Sequence, residues 1–279
     1  MMYSISIMSE VQLSDRRIVV IKKGTDILTS DRGKIKTSEI RDTAEDIHRL
    51  RSFGMSPILV ASGATTSGMG VLRKGGKNNI DLHNPIIGQD GEELPLKQAL
   101  ASIGQPELLA KFSYHFIARG IAIGQVLVNH GDFEDPKRAK STKGTIQTLL
   151  ALGAVPILNG NDPTSPEGFY YDNDMITADT VVATGAKLAI MYTSVGGFTV
   201  DGQVIPKIGY DERDDFANFV DDSEKSDNSS GGMESKLASI SRMTDAGATV
   251  HLVGPYHDAR LANIISGSYT GGTRFLPAA

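Results

Sequence analysis

Short runs of apolar and β-branched residues recur along the chain and are separated by segments whose apolar positions have helical spacing. The runs predict buried strands at residues 17–21, 57–61, 121–128, 155–158, 188–192 and 249–253. Between the first two, Ser38 is predicted to cap a helix that ends at Gly54 and carries Ile40, Ala44, Ile47 and Leu50 on its apolar face. Strands that alternate with helices favour a mostly parallel sheet covered on both faces. The pattern therefore predicts an α/β fold, a three-layer αβα sandwich.

Shorter elements are predicted from turn signals and helix starts. Hairpins are expected around Asp31-Arg-Gly33 and around Asp201-Gly202. Residues 97–103 form one helix in this prediction, and Pro106 begins a second. Residues 273–276 are expected to form a final edge strand.

Some segments lack a regular pattern. Residues 72–94 have no periodicity and are predicted to be an excursion or lid, and residues 211–230 are predicted to be an acidic, solvated loop. Because no break in composition divides the rest, we expect an N-terminal extension at residues 1–16 and a single domain at residues 17–279.

Composition excludes several classes of function. The chain of 279 residues has no Cys, which excludes disulfides, thiolate metal sites and a Cys nucleophile. A net charge of −5 and the absence of Trp argue against binding to nucleic acid. No apolar run approaches the length of a membrane span, and residues 1–11 lack the basic start of a signal peptide. We therefore expect no membrane association and a cytoplasmic location.

One stretch concentrates polar groups at a strand end and at a helix start. The predicted strand at residues 155–158 runs into Asn159-Gly-Asn-Asp162, and Asp172-Asn-Asp174 opens the next helix. Small-molecule sites of α/β proteins lie at such positions. Carboxylates there would receive an ammonium group, and amide or helix-terminal N–H groups would receive a carboxylate. Taken alone, the stretch is equally well explained by a polar turn and a helix N-cap.

Small residues and glycines follow several predicted strands. They occur in Lys22-Lys-Gly-Thr25, in Ser62-Gly-Ala64 and at residues 193–197, and Gly231-Gly232 precedes a helix. Glycine lets backbone N–H groups approach a phosphate closely, and these strand ends would meet at one edge of a parallel sheet. Neither a Walker loop nor the Rossmann glycine fingerprint occurs in the sequence.

Two lysines are placed for phosphoryl transfer, Lys22 at the end of a buried strand and Lys236 one turn into a helix. A carboxylate that attacks a phosphate meets like charge, and each pair of unit charges about 4 Å apart costs roughly 4 kcal/mol at an effective dielectric constant near 20. Lysine and Mg²⁺ can offset this repulsion. The alternative for any single lysine is an exposed side chain, and Lys23 fits that alternative better than Lys22.

The motifs keep a family-like order over residues 17–275. They are Lys22-x-Gly24-Thr25, Ser62-Gly-Ala64, Lys97-Gln-Ala-Leu-Ala-Ser-Ile-Gly-Gln105, Asp132-Phe-Glu-Asp135, Val155-Pro-Ile-Leu-Asn-Gly-Asn-Asp162, Asp172-Asn-Asp174, Gly231-Gly-Met-Glu-Ser-Lys236 and Gly272-Thr-Arg-Phe275. In this combination the chain resembles the amino acid kinase family, and within it the glutamate 5-kinases. The resemblance implies a fold similar to carbamate kinase, with an acceptor-binding half at about residues 17–180 and a nucleotide-binding half at about residues 181–279.

The resemblance also implies an activity and a set of site residues. The activity is ATP-dependent phosphorylation of the side-chain carboxylate of glutamate or a similar acidic amino acid, the first step toward proline. ATP and Mg²⁺ are the implied cofactors, with Mg²⁺ carried by ATP rather than held by a protein site. The implied catalytic residues are Lys22, Asp174 and Lys236. The acceptor would be bound by Ser62, Gly63, Asn159, Asp162, Asp172 and Asn173. The nucleotide would be bound by Lys22, Gly24, Thr193, Ser194, Gly231, Gly232, Met233 and Lys236.

The same resemblance implies partners. A glutamyl phosphate reductase would act downstream on the product, and further copies of the chain would form a homodimer or homotetramer. Many bacterial members also carry a C-terminal RNA-binding-like PUA domain, which has no counterpart in residues 1–279.

The chain departs from the family pattern near both expected binding sites. Gly160 stands where the family usually has Glu, and Ser194 and Gly196 stand where it usually has acids. Residues 72–94 are longer than the pattern, and His130-Gly131 replaces an Arg-Asp pair. Two alternatives therefore stay open, a kinase that acts on another acidic metabolite and a catalytically weak regulatory relative.

Overall fold

The computed structural model describes residues 17–30, 32–77, 80–81, 86–89, 95–165, 171–213, 233–254 and 260–278. The strands are β1 Arg17–Lys23, β2 Met55–Ala61, β3 Ile123–Val128, β4 Val155–Gly160, β5 Leu188–Tyr192, β6 Thr199–Val200, β7 Gln203–Val204, β8 Lys207–Ile208, β9 Thr249–Val253 and β10 Thr273–Phe275. The helices are α1 Thr25–Leu28, α2 Thr37–Ser52, α3 Ala64–Lys74, α4 Leu96–Ile117, α5 Gly131–Glu134, α6 Pro136–Ala151, α7 Asn173–Thr184, α8 Met233–Asp245 and α9 Leu261–Ser266.

Eight strands form one sheet in the order β3-β4-β2-β1-β5-β9-β10-β8. The six strands from β3 to β9 are parallel, while β10 pairs antiparallel with β9 and parallel with β8. The predicted mostly parallel sheet is confirmed. Strands β6 and β7 form a separate hairpin at the predicted Asp201-Gly202 turn, where both residues have positive φ, 50° and 75°.

Helices cover both faces of the sheet, which confirms the three-layer sandwich. One buried apolar cluster joins the sheet to α2, α4 and α9 through side chains such as Ile40, Phe112 and Leu261. The other cluster joins it to α6, α7 and α8 through Ile146, Ile176 and Ile240. Neither the helices nor the strands could bury these apolar faces alone, so the layers hold each other in place.

Successive residues of β1 face opposite layers. Val19 and Ile21 belong to the α2 side, and Val20 belongs to the α7 side. The same alternation directs Lys22 toward α7 and Lys23 toward α2 at the carboxyl end of the strand.

Helix α4 corrects the prediction of two helices. It runs unbroken from Leu96 to Ile117 with Pro106 inside it. Proline has no backbone N–H group to donate, and the loss of this hydrogen bond normally ends or kinks a helix. Here Leu108 and Phe112, beyond the proline, are buried in the core together with Leu100 before it. Burial of this continuous face outweighs the lost hydrogen bond.

Three smaller predictions also need correction. The predicted edge strand is β10, which lies between β9 and β8 and is not at the edge. Helix α2 begins at Thr37, so Ser38 lies inside the first turn and the N-cap position is Lys36, without a side-chain cap. The predicted hairpin at residues 26–36 is a helical turn, α1, followed by one antiparallel bridge between Thr29 and Ile35.

Several predictions fall wholly or partly outside the described residues. These are the N-terminal extension, most of the acidic loop at residues 211–230 and the start of a helix that the sequence predicts at residues 257–265. The excursion at residues 72–94 is described in part: α3 extends to Lys74, and Ile86 and Ile87 are exposed. In the part of the chain that the structure describes, no helix is long and apolar enough to cross a membrane.

Candidate active site

Polar strand ends meet at the carboxyl edge of the sheet. Strands β4, β2, β1 and β5 are neighbours there, as the glycine and polar motifs predicted. The turn after β2 is tied to β1 because the Ser62 N–H donates to the carbonyl oxygen of Lys23 at 3.1 Å. Of the four glycine segments, Gly231-Gly232 lies outside the described residues.

A single carboxylate joins two lysines from distant parts of the chain. One Asp174 oxygen lies 2.8 Å from Lys22 Nζ, and the other lies 2.6 Å from Lys236 Nζ. Asp174 is only 4% exposed. Burial by itself raises the pKa of Asp174, but the two ammonium groups outweigh burial and lower it, so the carboxylate stays ionised. Within this three-residue cluster, two ammonium groups and one carboxylate leave a net charge of +1.

The two lysines depend on that carboxylate. Burial lowers the pKa of Lys236, the charge of Lys22 lowers it further, and only carboxylates such as Asp174 oppose these effects. Without Asp174, two buried ammonium groups would face each other. Gly24 belongs to the same arrangement, because a Cβ atom there would lie 3.3 Å from Lys22 Nζ.

Asp172 organises the start of α7. Its Oδ1 accepts hydrogen bonds from the N–H groups of Asp174 and Met175, so Asp172 is the N-cap of α7, which was one of the two explanations that the sequence left open. Its Oδ2 accepts a hydrogen bond from the Ser235 hydroxyl at 2.8 Å. The helix that carries Asn173 and Asp174 is thereby fixed to the helix that carries Lys236.

Amide side chains connect three elements beside this charge cluster. Asn173 Nδ2 donates to the Ser62 hydroxyl at 2.7 Å and to Asn159 Oδ1 at 2.9 Å. Asn159 Nδ2 donates to Gln105 Oε1 at 2.8 Å. In the described part of the chain, Asn173 Oδ1 is buried and has no hydrogen-bond partner. A buried acceptor without a donor is suited to bind a donor group of a ligand.

Asp162 lies in a short 3₁₀ helix directly after β4. Burial raises its pKa to about 6. A Cβ atom on Gly160 would lie 2.8 Å from Asp162 Oδ1, so the glycine leaves room for this carboxylate. Glycine at position 160 thus replaces the Glu that is usual in the family pattern, and its small size lets the Asp162 carboxylate lie against the end of β4.

The remaining predicted site residues make no direct contact with the charge cluster among the contacts that the structure shows. Thr193 follows β5 and donates its N–H to the carbonyl oxygen of Val253, whereas Ser194 is exposed. Met233 begins α8 and packs against the apolar cluster on that face. Gly63, with φ of 104°, precedes α3 in a conformation that other residues rarely adopt.

Sequence reasoning missed three residues around the site. Ser235 and Gln105 lie inside quoted motifs but were given no role. Lys23 was expected at the surface and is 5% exposed; its Nζ lies 3.4 Å from a Glu39 oxygen and 4.5 Å from the centre of the Tyr192 ring. Its position in a strand whose residues 18–21 are all apolar was the available signal.

The sequence matches the model of the amino acid kinase family over residues 17–254. The chain belongs to the amino acid kinase family. Within that family, the glutamate 5-kinase of Symbiobacterium thermophilum is 31% identical over 258 residues, which cover 91% of this chain and 94% of that protein.

Other family relatives are longer. The glutamate 5-kinase of Aquifex aeolicus is 34% identical over 194 residues, which are 68% of this chain and 51% of that protein. The glutamate 5-kinase of a Ruegeria species is 35% identical over 190 residues, which are 67% of this chain and 48% of that protein. The chain thus spans about half the length of these two relatives.

Solved structures share the fold at low sequence identity. Carbamate kinase from Giardia lamblia bound to AMP-PNP superposes with a TM-score of 0.66 at 13% identity, covering 95% of this chain and all of that chain. UMP kinase from Ureaplasma parvum superposes with a TM-score of 0.59 at 14% identity, covering 94% of this chain and 99% of that chain. The predicted amino acid kinase-like fold is confirmed.

Proposed function

We propose that this protein is a kinase that transfers the γ-phosphoryl group of ATP to the side-chain carboxylate of glutamate, giving glutamyl 5-phosphate. Membership of the amino acid kinase family and the similarity to glutamate 5-kinases support this proposal. The observation that carries it is the buried Lys22–Asp174–Lys236 cluster, which sets two ammonium groups at the carboxyl edge of a parallel sheet.

The reaction places negative charge on negative charge. A carboxylate oxygen of the acceptor forms a bond to the γ-phosphorus, and the bond from that phosphorus to the bridging oxygen breaks, releasing ADP. The side chains of Lys22 and Lys236 would hold the phosphoryl oxygens and reduce the repulsion. Asp174 would hold both ammonium groups in place. Mg²⁺ bound to the phosphates would supply further positive charge.

The acceptor would lie over the ends of β2 and β4. Its ammonium group would be received by the Asp162 carboxylate and by the unpartnered Asn173 Oδ1. Its α-carboxylate would accept a hydrogen bond from the Ser62 hydroxyl. An N-acylated acid has no ammonium group, so Asp162 would lose its counter-charge. This charge requirement favours a free amino acid.

Nucleotide binding would use Gly24, Thr193 and the glycines before α8. The loss of acids at Ser194 and Gly196 keeps a catalytically weak regulatory relative as the second candidate. A cytoplasmic location and a reductase that consumes the unstable acyl phosphate belong to the same proposal.

The test is hydroxylamine trapping of acyl phosphate with Mg-ATP, applied to glutamate, aspartate, N-acetylglutamate and related acids. We expect hydroxamate from glutamate and none from N-acetylglutamate. Product from another acid alone would replace glutamate as the acceptor. No product from any acid, together with measurable ATP binding, would favour the regulatory alternative.

A variant pair tests the charge cluster. Lys236→Met should lower kcat by at least about a hundredfold, because a transition-state contact is lost. Lys143→Met, which changes an exposed lysine on α6, should leave kcat unchanged. Near-normal turnover in Lys236→Met would remove Lys236 from the phosphate site.

A further inference from the structure

We propose that Gln105 is a positioning residue: it holds Asn159, and through Asn159 the side chains of Asn173 and Ser62, in the orientation that decides which atoms of the acceptor pocket donate hydrogen bonds and which accept them. The proposal rests on the acceptor site proposed above and adds a residue that does not reach it directly. Gln105 lies on α4, and Asn159 links it to Asn173 and Ser62.

The orientation of each amide follows from one backbone group. The Gly160 N–H can only donate, and it donates to Asn159 Oδ1 at 2.9 Å. Asn159 therefore turns its oxygen toward Gly160 and its Nδ2 toward α4. The partner on α4 must be an acceptor, and Gln105 Oε1 fills that position at 2.8 Å.

The same orientation passes on to Asn173. Asn159 Oδ1 also accepts from Asn173 Nδ2, whose second hydrogen is donated to the Ser62 hydroxyl. Asn173 consequently presents Oδ1 as an acceptor that no described residue fills, and Ser62 keeps its own proton to donate. The acceptor pocket thus has an acceptor for an ammonium group and a donor for a carboxylate, both set from outside the pocket.

Gln105 is held firmly enough to act in this way. The neighbouring Gly104 brings α4 against α3 so closely that a Cβ atom there would lie 1.9 Å from the carbonyl oxygen of Ala64. Helix α3 begins one residue after Gly63 and two after Ser62. One helix contact therefore fixes Gln105 and Ser62 relative to each other.

The first experiment replaces only the acceptor on α4. Gln105→Glu keeps an oxygen for Asn159 Nδ2, whereas Gln105→Leu removes it and leaves a buried donor without a partner. We expect Gln105→Leu to raise the KM for the amino acid about tenfold or more while kcat and the KM for ATP stay within about twofold. Gln105→Glu should restore most of the loss.

A matched substitution on the same helix is the control. Gln98→Leu lies two turns earlier on α4 and should leave both KM values unchanged. If Gln105→Leu behaves like Gln98→Leu, or if it lowers kcat and raises both KM values together, Gln105 does not position the acceptor pocket.

A double substitution tests the direction of the hydrogen bonds. In Asn159→Asp the new carboxylate still accepts from Gly160 and Asn173, and Gln105 can rotate its amide to donate to it. In the double variant Asn159→Asp with Gln105→Glu, two carboxylates would face each other. We expect the amino acid KM of the double variant to exceed the product of the two single effects by about tenfold or more, and to recover partly at low pH when one carboxyl is protonated.

Multiplicative effects in the double variant, with no recovery at low pH, would overturn the proposed polarity. The wild-type trapping assay separates this outcome from failure of the proposed function. If wild-type protein forms no acyl phosphate, the proposed function fails. If it does and the Gln105 variants keep the wild-type KM, only the role of Gln105 fails.

Discussion

At the scale of single residues, Asp162 is a partly buried carboxylate whose ionisation costs stability and which we propose binds the acceptor. Burial raises its pKa to about 6, and the described residues give it no cation. The unfolded chain releases this proton near pH 4 and the folded chain near pH 6, so ionisation opposes folding at neutral pH. A shift of two pKa units corresponds to a loss of about 3 kcal/mol in the free energy of unfolding. Because Asp162 is partly exposed, we expect a loss of about 2 kcal/mol.

Asp162→Asn should therefore stabilise the fold and weaken binding. We expect its free energy of unfolding in urea to exceed the wild-type value by about 2 kcal/mol at pH 7. The gain should shrink as pH falls to 4, because the carboxyl then becomes protonated in both states. The KM for glutamate should rise more than the KM for ATP. A gain independent of pH, or an unchanged glutamate KM, would contradict this account.

Lys23 is also a buried charged residue, but it is a cation and it faces the helix layer that contains α2. Its ammonium is buried beside Glu39, whose side chain is 31% exposed and can be solvated without it. Burial lowers the pKa of Lys23, and Glu39 opposes the shift without reversing it. Its proton therefore binds more weakly in the folded chain than in the unfolded chain, and the charge opposes folding at neutral pH.

Lys23→Met should stabilise the protein by about 1 kcal/mol at pH 7, because a buried charge is replaced by an apolar chain of similar length. Wild-type stability gains as pH rises toward the pKa of an unfolded lysine, so the advantage of the variant should decline at alkaline pH. Thermal unfolding at pH 7 and pH 9.5 measures both effects. A loss of stability at pH 7 would show that the Lys23–Glu39 pair is net stabilising.

At the scale of elements, α3 and α4 approach so closely that backbone atoms of each helix lie against a glycine of the other. A Cβ atom on Gly68 would lie 2.0 Å from the carbonyl oxygen of Leu100, and one on Gly104 would lie 2.3 Å from the Gly68 nitrogen. No side chain can yield at such contacts, so the two helices would have to separate. Their separation would move the turn that carries Ser62 and Gly63.

Gly104→Ala should therefore destabilise the fold by about 2 kcal/mol or more, although Ala favours helices over Gly by about 1 kcal/mol. Gly144→Ala in α6 is the matched control, because its Cβ would meet nothing within 4 Å. It should stabilise by about 0.5–1 kcal/mol. Chemical denaturation of both variants should give shifts of opposite sign, and equal shifts would show that the helix contact is not close.

Helices α7 and α8 are connected by hydrogen bonds and ion pairs between side chains. Besides the bonds of Asp172 and Asp174, Asp179 pairs with Arg242 of α8 and accepts the Tyr171 hydroxyl hydrogen bond at 2.5 Å. The side chains on α7 that we propose bind the acceptor and the lysine on α8 that we propose binds phosphate are therefore positioned together, as the proposed reaction between two bound substrates would require.

At the scale of the whole molecule, one sheet carries both proposed binding halves. Strand β1 pairs with β2 of the acceptor half and with β5 of the nucleotide half, so Lys22 lies at their junction. The boundary near residue 180 stays a prediction.

The assembly is likewise a prediction that follows from the family resemblance. We expect light scattering at micromolar concentration to give the mass of a homodimer or homotetramer of the 29.8 kDa chain. A monomer under these conditions would contradict it.

Local chemistry was enough for much of the fold. The apolar runs predicted all six long parallel strands, and Asp201-Gly202 predicted a tight hairpin. Asp172 is of a residue type that favours the N-cap position, which it occupies in α7. The order of the motifs predicted the family. Each of these signals acts between residues close in the chain or resides in residue types themselves, so the sequence contains it directly.

Only the tertiary structure decided which charges and amides meet. Asp174 and Lys236 are separated by 62 positions, Asn159 and Gln105 by 54, and Asn173 and Ser62 by 111. The burial of Lys23, the unbroken helix through Pro106 and the interior place of β10 likewise depend on distant partners. Packing energy is shared among elements that are remote in sequence, and it overrides local preference where the two conflict.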